Sequence, residues 1–158
     1  MRPRSRSFFL LPLLLLLLAA SALQAPSARA QNDAGKNEDP AFKDFRGVTI
    51  GMPRDEARKK LGDPTDKGDT QDFYAFNDTE SCQVFYDGQK KVFAVSVTYL
   101  GEKATAPSAK AVLGSEVEAK PDGSMHRLVR YPKAGYWVSY TRTSGDSPMT
   151  VIAMQKIQ

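Results

Sequence analysis

The chain has 158 residues, enough for one domain of common size whose core needs no metal or disulfide staple. Its 22 Lys and Arg against 18 Asp and Glu give a formal charge of +4, but Arg2, Arg4, Arg6 and Arg29 account for the whole excess. The rest is formally neutral, with no net field to draw phosphate, so composition argues against a nucleic-acid partner.

Those arginines frame the first element. Arg2, Arg4 and Arg6 precede an apolar run from Phe8 to Ala20, and Ala28-Arg29-Ala30 supplies a small-x-small cleavage site. This order predicts a signal peptide over residues 1–30. The apolar run is shorter than the roughly 20 residues that cross a bilayer, and Ser21, Gln24, Pro26 and Ser27 prevent its extension. No Cys lies just beyond the run, so no lipid anchor is expected after cleavage, and a soluble mature protein, periplasmic or secreted, is expected. Cys82 is the only cysteine, which excludes an intrachain disulfide even in an oxidising compartment.

Residues 31–41 are polar, charged and without periodicity, and predict a flexible leader. The folded part is expected over 42–158. Pro53 sits at the start of a helix with Asp55 and Glu56 in its first turn, Arg58, Lys59 and Lys60 at its other end, and Gly62 and Pro64 as stops. Met52, Ala57 and Leu61 share one side, a stripe too narrow to hold this helix alone, so it must pack on a sheet.

Three strands are predicted next, Phe73 to Phe76, Cys82 to Tyr86 and Val92 to Tyr99, the last two joined through Asp87-Gly88-Gln89-Lys90 with an Asp-Gly hairpin signal. Ala106 to Leu113 reads as a second short helix ended by Gly114, with Pro107 near its start. His126 to Tyr131, Tyr136 to Thr141 and Thr150 to Lys156 read as three further strands, separated by turns rich in Gly and Pro. The expectation is an α+β fold, with short helices on an antiparallel sheet of about six strands or on two three-stranded sheets. Leu61-Gly62 recurs as Leu113-Gly114, and Val84-Phe85-Tyr86 aligns with Val138-Ser139-Tyr140. The order therefore admits two degenerate helix-plus-three-strand repeats, 45–100 and 104–157.

The run Gly51-Met52-Pro53-Arg54-Asp55-Glu56-Ala57-Arg58-Lys59-Lys60-Leu61-Gly62-Asp63-Pro64 resembles the signature of the SmpA/OmlA family, the BamE-like periplasmic modules. A tandem version is similar to β-lactamase-inhibitor proteins. The resemblance implies a small exported domain that binds proteins rather than catalysing a reaction. Two departures stand out: the acylated Cys of the assembly-factor lipoproteins is missing, and Pro53 stands where Ser or Thr would cap the helix.

Chemistry-bearing motifs are sparse. His126 is the only histidine, and neither it nor Cys82 sits in a nucleophile motif such as Gly-x-Ser-x-Gly. One His and one Cys more than forty positions apart make no metal-ligand spacing, no Gly-rich phosphate loop occurs, and Asp63, Asp66 and Asp69 read as turn formers. No enzyme activity, cofactor or metal is expected.

Strand alternation carries the functional clue. It puts Cys82, Val84 and Tyr86 on one face, opposite Gln83, Phe85 and Asp87, and the first set reads as core with a buried, unreactive thiol. If Tyr136, Val138 and Tyr140 are core in the second half, Trp137 lies opposite with Ser139 and Thr141. Phe85 then shares that open face, which Ala94, Ser96, Thr98, Thr150 and Ile152 would continue. A one-residue slip would instead bury Trp137 and turn Tyr136 and Tyr140 to solvent. Exposed aromatics among small polar residues suit protein recognition. The expected function is a non-catalytic protein-binding module of the cell envelope, acting on an envelope protein through Trp137, Phe85 and Ser139. The alternative is a small-molecule or glycan-binding module.

Overall fold

The computed structural model describes residues 39–158, together with the backbone of Asn32–Ala34. The expected signal peptide, 1–30, and most of the expected leader, 31–41, lie outside the described residues. The elements are β1 (Asn32–Ala34), α1 (Arg54–Leu61), β2 (Asp66–Lys67), β3 (Gln71–Ala75), β4 (Glu80–Tyr86), β5 (Val92–Leu100), α2 (Ala109–Leu113), β6 (Met125–Tyr131), β7 (Tyr136–Arg142) and β8 (Met149–Lys156).

They form a single sheet in the order β1-β6-β7-β8-β5-β4-β3-β2. Strands β2 to β8 pair antiparallel, and β1 runs parallel to β6 at one edge. The α+β architecture with two short helices is as the sequence suggests, but the sheet has eight strands, not six. The two additions, β1 and β2, are segments of three and two residues without an apolar alternation to announce them. Each half forms a meander, and the third strands of the two, β5 and β8, meet antiparallel in the middle from Ala94↔Gln155 to Leu100↔Met149. That pairing makes one sheet of what could have been two.

The Asp87–Lys91 hairpin differs from the Asp-Gly expectation. The left-handed residue is Lys90, at φ 58°, and not Gly88. The Asp87 carboxylate accepts the N–H groups of Gln89 and Lys91, which stabilises a longer loop ending in a left-handed position. This loop also starts α1: Arg54 N–H donates to the Lys90 carbonyl at 2.9 Å, satisfying a helix-terminal donor that Pro53 has no side chain to cap. The second helix begins at Ser108, whose hydroxyl accepts from Ala111 N–H, so Pro107 lies before the helix rather than inside it.

Both helices cover the same face of the sheet. Ala57 of α1 and Val112 and Leu113 of α2 join a single core with Val84, Val95, Val97, Val138, Ile152 and Met154. On its own, α1 is eight residues long and buries only Ala57, far below what an isolated helix needs. Its anchor is polar. Arg58 donates through Nε (2.8 Å) and Nη2 (2.9 Å) to the two oxygens of Asp72, and through Nη2 to the Gly68 carbonyl at 3.0 Å. Asp72 is 0% exposed and also accepts from Tyr86 Oη at 2.6 Å and from Gly68 N–H at 3.2 Å.

Burial pushes the Asp72 carboxyl up, but the hydrogen bonds from Arg58, Tyr86 and Gly68 outweigh it and hold the group below the ordinary carboxylate range. Burial, reinforced by the carboxylate it donates to, pushes the Tyr86 phenol up. Asp72→Ala would leave the Arg58 guanidinium partly buried without its counter-charge, and is expected to cost about 3–5 kcal/mol in urea unfolding. Because the folded value lies below the unfolded one of about 3.9, the contribution of Asp72 is complete above that value and is lost as pH falls through the folded one. Wild-type stability should therefore decline more steeply below about pH 4 than that of Asp72→Asn, measured as the slope of the urea midpoint against pH.

Candidate functional site

The ladder registers define the face that the helices leave uncovered. Its first row across the sheet is Arg130, Trp137, Gln155, Ala94, Phe85 and Gln71, each opposite the next. The second is Leu128, Ser139, Ala153, Ser96, Gln83 and Phe73, and the third His126, Thr141, Val151, Thr98, Ser81 and Ala75. Leu100, 49% exposed, and Met149 close the face at one end.

Trp137, Phe85 and Ser139 all lie on this face and are half-buried, while Tyr136, Val138 and Tyr140 point into the core. Two further residues expected here do not belong: Thr150 and Ile152 are buried on the helix-bearing side, opposite Tyr99 and Val97. Either phase of Thr150-Val151-Ile152-Ala153-Met154-Gln155 contains apolar residues, so pattern alone does not orient β8, and its pairing with β5 does. Val151, Ala153 and Gln155 take the places on the open side.

Side-chain size varies across this surface in a useful way. The two central strands contribute the small groups Ala94, Ser96, Thr98, Ala153 and Val151, with Gln155 beside Trp137 as the one long side chain, flanked by Phe73 and Phe85 on one side and by Trp137 and Leu128 on the other. Phe85 on β4 and Trp137 on β7 are three strand spacings apart, about 14 Å. The face is thus a shallow trough with a small-residue floor and aromatic shoulders. It is also depleted in charge: a quarter of the whole chain is Asp, Glu, Lys or Arg. In the three rows Arg130 is the only such residue, with Asp66 of β2 opposite Phe73 at the far edge.

The remaining chemistry-bearing side chains lie apart from one another. His126 is exposed, with Nδ1 2.8 Å from the Thr141 hydroxyl, its directly opposite neighbour on β7. Among the described residues no carboxylate is hydrogen-bonded to this pair. Cys82 is buried, and burial pushes its thiol up to about 12. Asp63, Asp66 and Asp69 are exposed, and Asp69 Oδ1 lies 3.7 Å from Arg54 Nη1. Among the described residues, no three His, Cys, Asp or Glu side chains are grouped as metal ligands.

No family model, curated protein or solved structure matches this chain.

Two groupings escape a reading of the sequence. The Arg58–Asp72–Tyr86 cluster joins residues from three elements, and its one local sign is an aspartate, Asp72, standing in phase with Tyr74 rather than with polar neighbours. A cleft beside Tyr99, Tyr140 and Thr150 depends on the orientation of β8 and could not be anticipated without it.

Two measurements check these placements. Trp137 is the only tryptophan, so native emission should lie at longer wavelength than for a core indole and should be quenched readily by acrylamide. Cys82 should react with a thiol reagent only through opening of the fold, so that moderate urea accelerates labelling in step with the population of open states.

Proposed function

We propose that this chain is a non-catalytic binding module that recognises another protein of the cell envelope through the open sheet face, in the manner its BamE-like signature implies. The observation that carries the reading is a solvent-facing surface with aromatic shoulders and one formal charge across three rows of strands. Charge depletion with Trp and Phe rings that reach solvent distinguishes interface centres from ordinary surface. The partner that fits is a convex segment with an uncharged contacting side: a trough about 14 Å between shoulders admits a helix of about 10–12 Å diameter.

Six strands about 4.8 Å apart and three side-chain rows about 7 Å apart give an area on the order of 500 Å2. That is somewhat below the ~800 Å2 each partner contributes to a standard interface, as suits a reversible complex. Export through the residues 1–30 segment would deliver the module to the periplasm or medium, where its partner resides. The helix-then-three-strands order, repeated over 45–100 and 104–157, is consistent with a duplicated module whose two copies share one sheet.

Capture from envelope extract tests this directly. One specific protein should be retained by the wild-type chain and lost with both Trp137→Ala and Ser96→Arg, the second filling the trough floor with a charge. Both variants should keep wild-type circular dichroism and stay within about 1.5 kcal/mol of wild-type stability in urea, because both side chains are only half-buried. Retention of the same protein by both folded variants would remove the face from the function.

A further inference from the structure

A second feature lies on the opposite side of the sheet, at the end where β5 leaves and β8 enters. There a cleft of about 240 Å3 opens beside the segment leading into α2. Its lining includes Tyr99, Tyr140 and Thr150 from the three neighbouring strands β5, β7 and β8. Each of these residues is at most 9% exposed, yet its hydroxyl oxygen keeps some solvent contact, and no hydrogen bond joins these hydroxyls to another described residue. Hydroxyls that lack a protein partner yet reach solvent beside one cleft are open to water or to a ligand.

Two charged residues flank this polar floor. Glu102, just after β5, and Arg142, the last residue of β7, both line the cleft, both are exposed, and neither is held in an ion pair among the described residues. The two also line an adjoining, wider recess, so each head is reachable from solvent.

We propose that this cleft binds a small zwitterion carrying an ammonium and a carboxylate, of amino-acid or dipeptide size, at a site separate from the open sheet face. Arg142 supplies a planar donor fork suited to a carboxylate, Glu102 accepts the ammonium, the hydroxyls of Tyr140 and Thr150 bond the polar groups between, and Tyr99 contributes a wall. The volume lies just below the range of drug-sized sites and fits a molecule of this class.

The probe is L-alanyl-L-alanine, titrated into the folded chain and followed through the ring resonances of Tyr99 and Tyr140. Saturable shifts are expected, with affinity reduced on the order of tenfold when the dipeptide is N-acetylated, when its carboxylate is amidated, and in Glu102→Gln and Arg142→Gln. Both substitutions are at exposed positions, and unchanged urea midpoints will confirm folding. Trp137→Ala should bind the dipeptide like wild type, which separates this site from the sheet face. Absence of saturable shifts in the folded wild type at tens of millimolar would overturn the proposal. So would affinity that is indifferent to both cappings, or to both charge-removing substitutions.

Discussion

Both surfaces of the sheet depend on where α1 is held, and a buried ion pair holds it. An eight-residue helix with one buried alanine contributes little apolar area of its own. Desolvating Asp72 is costly unless its oxygens are filled, and here four hydrogen bonds fill them: two from Arg58, one from Tyr86 and one from the Gly68 backbone. The cluster ties helix, β2–β3 turn and β4 together, so α1 cannot slide without exposing an unpaired charge. The Arg58 guanidinium also lies 6.0 Å from the Tyr86 ring centre, adding an attraction that a lysine would supply less well.

Fixing both helices on one side decides the chemistry of the other. Large residues of the central strands, Val95, Val97, Ile152 and Met154, are committed to the helix-bearing side, and alternation then places Ala94, Ser96, Thr98, Val151 and Ala153 on the open one. A sheet solvated on one face ordinarily carries polar and charged residues there. These five positions carry no charge, and lysine or glutamate would have been the simplest means of keeping such a face monomeric. A surface that forgoes that protection suits the proposed role in binding a partner.

Much of this was legible from alternation and turn chemistry, and the reasons for success and failure are particular. Cys82-Val84-Tyr86 and Tyr136-Val138-Tyr140 each put three apolar residues in one phase, which favours the observed orientation of β4 and β7, but Phe85 and Trp137 in the opposite phase left a one-residue slip open that only the ladder excludes. The orientation of β8 could not be read, because Thr150-Ile152-Met154 and Val151-Ala153-Gln155 both mix apolar and polar residues and only the pairing with β5 chooses between them. Gly88 suggests a two-residue turn, but Asp87 satisfies two N–H groups of a longer loop, and Lys90 takes the left-handed position instead. The Arg58–Asp72 contact spans fourteen residues and joins a helix to a strand, a separation at which no local pattern operates.

The orientation of β8 shapes the cleft and the trough together. By turning Thr150 inward it sets a third hydroxyl beside Tyr99 and Tyr140, and by turning Val151 and Ala153 outward it keeps the trough floor small. Had β8 slipped by one residue, Ile152 would fill the trough, Gln155 would enter the core without a partner, and the cleft would lose a hydroxyl. One register, set by the antiparallel meeting of β5 and β8, thus governs both surfaces, while the thickness of the sheet keeps them apart. A ligand in the cleft could influence the open face only by displacing β5 or β8 along the ladder, and each is held there by paired strands on both sides.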